Sequence, residues 1–112
     1  MISEKICHIC TAIDWEAAQA AGFYHAASLE SEGYIHCSRP DQVLRVANLY
    51  FSDMADLLLL WIDPTQVMGT IRWEPVEGDI YPHIYGVLNL NAVIKAAPLI
   101  PRTDGAFIDF PE

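Results

Sequence analysis

The sequence has little positive charge. Only 6 Lys and Arg stand against 15 Asp and Glu among 112 residues, giving a formal net charge of −9 at pH 7. The six cations are scattered along the chain, and an acidic surface of this kind repels a phosphate backbone. The sequence therefore disfavours a nucleic-acid partner, although one local arginine would suffice for a single anionic small molecule.

Long apolar runs are also missing. The longest, Leu57 to Ile62, is far shorter than the roughly 20 residues of a transmembrane helix. The N-terminal stretch MISEKICHIC has no small-residue cleavage site of the kind found in secretory signals. We therefore expect no membrane association and a cytoplasmic protein.

Cysteine is scarce, and the count is odd: Cys7, Cys10 and Cys37. An odd number without a secretory signal argues against a disulfide framework. Cys7 and Cys10 are spaced like half of a zinc site, but positions three apart on a strand lie on opposite faces, and no second pair exists. We therefore predict no metal site. Cys37 adjoins His36, yet neighbours on a strand point apart, so His36 cannot activate this thiol.

The chain length and the order of patterns predict one α+β domain spanning residues 1–112, with a mostly antiparallel sheet and two or three short helices. A helix is expected from Asp14, as its cap, to Gly22, and another after Ser38 and Asp41 as capping groups. Strands are expected in KICHIC, YIHCS, LLLLWI, TIRWEPV and YPHIYG. The unalternated run LLLLWI predicts a strand buried on both faces.

Three histidines, His8, His36 and His83, lie in strand-like segments between apolar residues, although histidine is usually exposed or paired. Because side chains alternate along a strand, each shares a face with polar or aromatic neighbours. These neighbours are Tyr34 and Ser38 for His36, and Tyr81 and Tyr85 for His83. Strands placed side by side would form one cleft for a small-molecule ligand. Alternatively, each histidine is separately hydrogen-bonded in the interior.

Two charged residues are further candidates. Glu74 suits an acid, a base or an acceptor for ribose hydroxyls, but a solvated glutamate paired with Arg72 fits the pattern equally well. Arg39 follows IHCS at a predicted helix start, where an anion is stabilised, and a surface charge is the alternative.

The motifs ICHIC, EGYIHCS, LLLLWID, IRWEP and YPHIYG, in this order, resemble a family of small uncharacterised, mostly bacterial proteins. The pattern of that family includes IYHIT, EGFIHCS, LLLL-ID, WEP and FPHIYGPLNL. The similarity extends from Ile6 to Val93. This chain departs from the pattern at four positions, namely Cys7 for tyrosine, Cys10 for threonine, Val87 for proline and Asn91 for aspartate.

At the fold level this family resembles the ADP-ribosyltransferase-like superfamily, in particular the NAD-dependent RNA 2′-phosphotransferase branch. The resemblance implies that His8 holds the nicotinamide-side ribose and that His36 supports the nicotinamide pocket. Glu74 and His83 are both candidates for the third catalytic position. The candidate catalytic set is His8, His36, His83 and Glu74. The candidate NAD contacts are His8, Tyr34, His36, Ser38, Arg39 and Tyr85.

Three functions follow as hypotheses. The first is an NAD-dependent transferase or glycohydrolase that breaks the nicotinamide–ribose bond. The second is a binding module that holds a nucleotide-like ligand without converting it. The third is an interaction protein whose acidic face meets a basic partner. Val43, Tyr50 and the C-terminal phenylalanines suit a dimer contact as well as a core, so the oligomeric state stays open.

Overall fold

The elements of the fold are taken from a computed structural model, which describes residues 4–111. Residues 1–3 and 112 of the predicted domain lie outside the described residues. The strands are β1 (Ile6–Thr11), β2 (Phe23–Tyr24), β3 (Ile35–His36), β4 (Leu57–Ile62), β5 (Thr70–Val76), β6 (Asp79–Tyr85), β7 (Leu88–Asn89) and β8 (Val93–Leu99). The α-helices are α1 (Ala12–Ala21), α2 (Ala27–Ser31) and α3 (Val43–Tyr50), and 3-10 turns span Pro40–Gln42, Pro64–Gln66 and Leu90–Ala92.

All strand pairs are antiparallel, and they form three small sheets with the orders β1-β4-β8, β2-β7 and β3-β6-β5. The predicted α+β domain with antiparallel pairing and few helices is confirmed. Within residues 4–111 the strands do not form a single main sheet. The backbone at Gly86 has a φ of 128°, a conformation that glycine adopts without steric cost, and it ends β6. The next strand, β7, pairs with β2 and does not continue the sheet that contains β6.

Strand β4 is the middle strand of its sheet and is buried on both faces, as its unalternated sequence predicts. Leu60 and Ile62 pack into one core, and Leu57 and Leu59 pack into another on the opposite face. The first core also contains Ile6, Ile35, Ile84 and Leu88, and the second contains Cys7, Val43, Leu99 and Phe107. The sheet β1-β4-β8 thus separates two apolar layers.

The N-terminal cap of α1 differs from the predicted one. Helix α1 ends at Gly22 as expected, with a φ of 90°, but its N-cap is Thr11, whose hydroxyl accepts a hydrogen bond from the Asp14 amide at 3.1 Å. The predicted capping role of Asp14 is therefore wrong.

The turn before α3 is not capped by Ser38 or Asp41, as the sequence suggested. The Gln42 amide oxygen accepts a hydrogen bond from the Arg39 backbone N–H at 2.8 Å, and the Asp41 carboxylate binds the Arg39 side chain. The Asp41 carboxylate therefore pairs with the Arg39 guanidinium and does not cap the turn.

The C-terminal segment packs on the body of the protein, as its phenylalanines suggested. Phe107 is 1% exposed, and the Phe110 ring meets the Trp61 ring edge-on with centroids 5.5 Å apart. Val43 is also fully buried, so both Val43 and Phe107 belong to the core. Between residues 4 and 111, no helix is long and apolar enough to cross a membrane.

Candidate functional site

A cavity of about 530 Å³ lies between β1, the start of α1, α2, β3, α3 and the β5–β6 hairpin. This volume falls in the range of small-molecule sites. His8, His36 and His83 all line it. The structure therefore brings the three strand histidines to one cavity.

Strand pairing explains why the histidines meet. In the β3–β6 pair, His36 lies directly opposite His83. Cys7 and Ser38 exchange two backbone hydrogen bonds of 2.8 Å, which place β1 beside the segment that follows β3. His8 therefore lies within reach of β3.

His8 uses both of its ring nitrogens within the protein. Its Nδ1 donates a hydrogen bond to the His36 carbonyl oxygen at 2.5 Å, and its Nε2 accepts one from the Tyr24 hydroxyl at 2.8 Å. Because a carbonyl oxygen only accepts, Nδ1 carries the proton. Burial lowers the pKa of His8 to about 4, so the ring is neutral at pH 7. His8 therefore positions the His36 backbone instead of offering a nitrogen to a ligand.

His83 and Glu74 form a pair with a defined tautomer. His83 Nδ1 lies 2.9 Å from a Glu74 carboxylate oxygen, which also accepts a hydrogen bond from the Tyr85 hydroxyl at 2.5 Å. The bonds from Tyr85 and His83 hold the pKa of Glu74 below its ordinary value, so the carboxylate is ionised at neutral pH. Nδ1 is then the donor to this carboxylate, and Nε2 is the ring nitrogen that is left for a ligand.

Among residues 4–111, no hydrogen-bond partner is found for Nε2 of His83, although the side chain is only 3% exposed. The ring stacks on Tyr34 with centroids 4.2 Å apart and meets the His36 ring edge-on at 5.4 Å. These contacts fix the plane of the imidazole at the cavity wall.

His36 forms a second histidine–carboxylate pair. Its Nε2 lies 2.9 Å from the Glu32 carboxylate, and both side chains are about half exposed at the cavity. Tyr34 packs edge-on against this ring with centroids 4.8 Å apart. The two pairs therefore meet across the β3–β6 ladder.

The other predicted contacts divide into two groups. Ser38 is buried and lines the cavity, whereas Tyr34, Glu74 and Tyr85 lie beside His83 without lining it. Arg39 does not line the cavity either. Its guanidinium binds Asp41, Asp79 and the Ile80 carbonyl oxygen, so it is not placed for the anion-binding role suggested by the sequence.

The three cysteines are free and buried. Burial raises the pKa of both Cys7 and Cys10 to about 12 and raises that of Cys37 as well, so all three remain thiols at neutral pH. Cys7 and Cys10 pack into different cores, in agreement with the opposite faces predicted for them. No cluster of three or more potential ligands for a metal ion is found in the part of the chain that the structure describes.

Sequence reasoning missed several residues of the cavity. Asp14, Glu32 and Glu77 contribute carboxylates, and Tyr24 is the partner of His8. The α3 wall comprises Val46, Leu49 and Tyr50, with Phe51 following the helix. Glu32 stands within the same EGYIHCS stretch as His36, so its proximity was a usable signal, whereas the contacts of Tyr24 and Glu77 depend on tertiary structure.

Comparison with known proteins supports the family resemblance and gives no activity. A family model described as "Protein of unknown function (DUF952)" matches residues 9–96. Among curated proteins, no significant match was found.

The fold is similar to solved structures of protein CC0527 from Caulobacter crescentus. Its crystal structure has a TM-score of 0.84 and 29% sequence identity, covering 96% of this chain and 93% of that one, and the same values hold for a double mutant. Its solution NMR structure has a TM-score of 0.78 and 30% identity, covering 90% and 89% of the two chains.

Proposed function

The chain belongs to the DUF952 family of proteins of unknown function, and we propose from the chemistry of its cavity that it is a small-molecule enzyme with His83 as general base. The observation that carries this proposal is the Glu74–His83 hydrogen bond of 2.9 Å. It fixes Nε2 as the basic nitrogen of a buried ring at a cavity wall, the arrangement by which a carboxylate orients a catalytic imidazole.

The substrate that fits best contains a ribose joined to a nicotinamide-type ring, as in NAD. The fold-level resemblance to ADP-ribosyltransferase-like enzymes that we infer from the sequence supports this substrate class. The cavity volume of about 530 Å³ suits a nucleoside-sized group, and the tyrosines of its lining offer aromatic faces to a ring.

The proposed reaction is cleavage of the bond between ribose C1′ and the ring nitrogen. Water attacks C1′, and the electron pair of the breaking C–N bond leaves with the nicotinamide nitrogen. His83 Nε2 takes the proton from the water and later returns it to solvent. The Glu32 carboxylate, at the cavity beside His36, stabilises the positive charge that develops on the ribose.

In this scheme the histidines have different tasks. His83 acts on the attacking water. His36 offers ring edges to ribose hydroxyls, and His8 holds the His36 backbone through its hydrogen bond to the carbonyl oxygen. These different roles follow from which ring nitrogens of each histidine already form hydrogen bonds within the protein.

A nicotinamide-release assay tests the proposal, with NAD and nicotinamide riboside as separate substrates. The wild-type protein should release nicotinamide from at least one of them, and His83→Gln should lower kcat about 100- to 10,000-fold. Glu74→Gln should lower kcat with little change in KM, because it disturbs the ring orientation and not the binding. His25→Gln, which alters an exposed histidine that does not line the cavity, is the matched control. Absence of release from both substrates would contradict the proposal.

A binding module is the second candidate, and one observation favours it. Glu74, a candidate for the third catalytic position, is held by His83 and Tyr85 and does not line the cavity. Binding of a substrate in calorimetry without nicotinamide release, in wild type and His83→Gln alike, would support this candidate over the enzyme.

A further inference from the structure

We infer that the cavity selects an unphosphorylated, positively charged ligand, an organic cation such as a pyridinium on an apolar or sugar body. This inference rests on the proposed function for the identity of its probe, since it narrows the substrate of the same site. The charge of the ligand is inferred from the positions of the charged side chains around the cavity.

The charged side chains that line the cavity all carry carboxylates. Asp14 comes from the first turn of α1, Glu32 from the end of α2, and Glu77 from the β5–β6 turn. No lysine or arginine is among the described residues of this lining. Three separate elements therefore contribute the same sign of charge to one site, and a phosphate group there would meet repulsion without a compensating partner.

The lysine and arginine side chains whose contacts are described bind groups outside the cavity. Arg39 binds Asp41 and Asp79, and Arg102 binds Asp104. The Arg72 guanidinium lies 4.8 Å from the centre of the Tyr85 ring, and the Lys95 ammonium lies 5.9 Å from that of Trp61. None of these four residues lines the cavity, so none offsets its negative charge at short range.

Two of the three carboxylates are free to meet a ligand. Glu32 is bound to His36, whereas the Asp14 and Glu77 side chains make no hydrogen bond or ion pair with residues 4–111. Glu77 and Gly78 form the two-residue turn between β5 and β6, with φ values of 48° and 84°. Non-glycine residues rarely adopt this conformation, and at this position it brings a carboxylate to the cavity.

The aromatic lining complements the carboxylates. Tyr50 and Phe51 stand on the α3 side and Tyr81 on the hairpin side, so a ligand between them meets rings from two walls. Aromatic faces attract organic cations and also accept apolar groups. His83, at the same wall, has an Nε2 without a hydrogen-bond partner among residues 4–111, which leaves this atom available to a donor group on the ligand. Together these groups fit an organic cation and not a phosphate ester.

Calorimetry with nicotinamide riboside and nicotinamide mononucleotide tests the inference, because the two probes differ only in one phosphate. We expect the riboside to bind about tenfold or more tightly than the mononucleotide. The preference should shrink as salt is added, since screening weakens charge interactions. Glu77→Gln should reduce the preference several-fold. Glu16→Gln removes the same charge from an exposed residue that does not line the cavity and should leave the preference unchanged.

Equal or tighter binding of the mononucleotide would overturn the inference, and so would a failure of the riboside to bind. A preference unaffected by Glu77→Gln would also overturn it. The proposed enzyme fails in a different way, namely if the riboside binds with the expected charge preference but nicotinamide is released neither from the riboside nor from NAD. The two failures are therefore distinguishable in the same set of samples.

Discussion

At the scale of single residues, the three strand histidines differ in which ring nitrogens are occupied. His8 has both nitrogens bonded within the protein, His83 has one bonded to Glu74, and His36 is half exposed and bonded to Glu32. Identical side chains in similar strand patterns therefore serve different purposes, and their hydrogen-bond partners decide which ring nitrogens a ligand can use.

His8 makes the stability of the protein depend on pH in a definite window. Its folded-state pKa of about 4 lies below the ordinary value of 6.5, so between these values the unfolded chain binds a proton that the folded chain does not. Stability is therefore unaffected by this residue above pH 6.5 and falls as the pH is lowered toward 4, by roughly 3 kcal/mol. Urea unfolding from pH 7 to pH 4 should show this loss, and His8→Gln should remove most of the slope.

The control for this prediction is His25→Gln, which changes an exposed histidine and should keep the wild-type slope. Carboxylates act in a different range. The ion pair with Arg102 lowers the pKa of Asp104 to about 2, and stability from such a group is lost only as the pH falls below its ordinary value of 3.8 toward 2. A His8→Gln variant with an unchanged slope above pH 4 would show that His8 is not the titrating group.

The alternation of side chains along the sequence predicted which residues share a face only where the strands are regular. The faces of Tyr34 and His36 on one segment, and of His83 and Tyr85 on another, follow from period two and are observed as ring contacts. The Tyr24–His8 hydrogen bond spans sixteen residues and two elements, so no local pattern encodes it. The choice of partner among several charged side chains also depends on tertiary contacts, so the pairing of Arg39 with Asp41 and Asp79 was not predictable from the sequence.

At the scale of elements, α3 is both a wall of the cavity and the support of the C-terminal segment. Asn48 on α3 donates a hydrogen bond to the Phe107 carbonyl oxygen at 2.9 Å and accepts one from the Phe107 amide at 2.8 Å. Phe107 itself is buried in the second core. One side chain therefore joins the helix to residues 100–111, which contain no helix or strand.

Removing this side chain should loosen the C-terminal segment. In Asn48→Ala the two backbone groups of Phe107 lose their partner, so we expect a loss of about 1 to 3 kcal/mol in the free energy of unfolding. Limited proteolysis should cut after residue 100 sooner than in the wild type. Gln19→Ala, an exposed amide on α1, is the matched control and should change neither measurement. An unaltered proteolysis pattern in Asn48→Ala would show that the apolar contacts of Phe107 hold the segment alone.

Elements with a strong apolar or glycine signal were predictable, and short ones were not. The run LLLLWI and the Gly22 end of α1 correspond to observed features. Strand β3 has only two residues in its ladder, and the β2–β7 pair joins residues far apart in sequence. Such short strand pairs are stabilised mainly by packing against neighbouring elements. The local sequence pattern does not reveal that packing.

At the scale of the whole molecule, two cores share one sheet. The β1-β4-β8 sheet carries the cavity histidine His8 on β1, and Leu59 and Leu60 extend from adjacent positions of β4 into opposite layers. The cavity walls are drawn from elements on both sides of this sheet. We therefore expect the two layers to unfold as one cooperative unit, as is usual for domains of this size.

Substitutions at Leu59 and Leu60 test this cooperativity. Each leucine is 0% exposed, so Leu59→Ala and Leu60→Ala should each cost about 2 to 5 kcal/mol through lost apolar burial and the cavity left behind. Both variants should still unfold in a single transition when far-UV and near-UV circular dichroism are followed in urea. Ile94→Ala, at a position that is 56% exposed on β8, should cost less than about 1 kcal/mol. Two separated transitions in either leucine variant would mean that the layers are independent, and the cavity would then sit between two units of different stability.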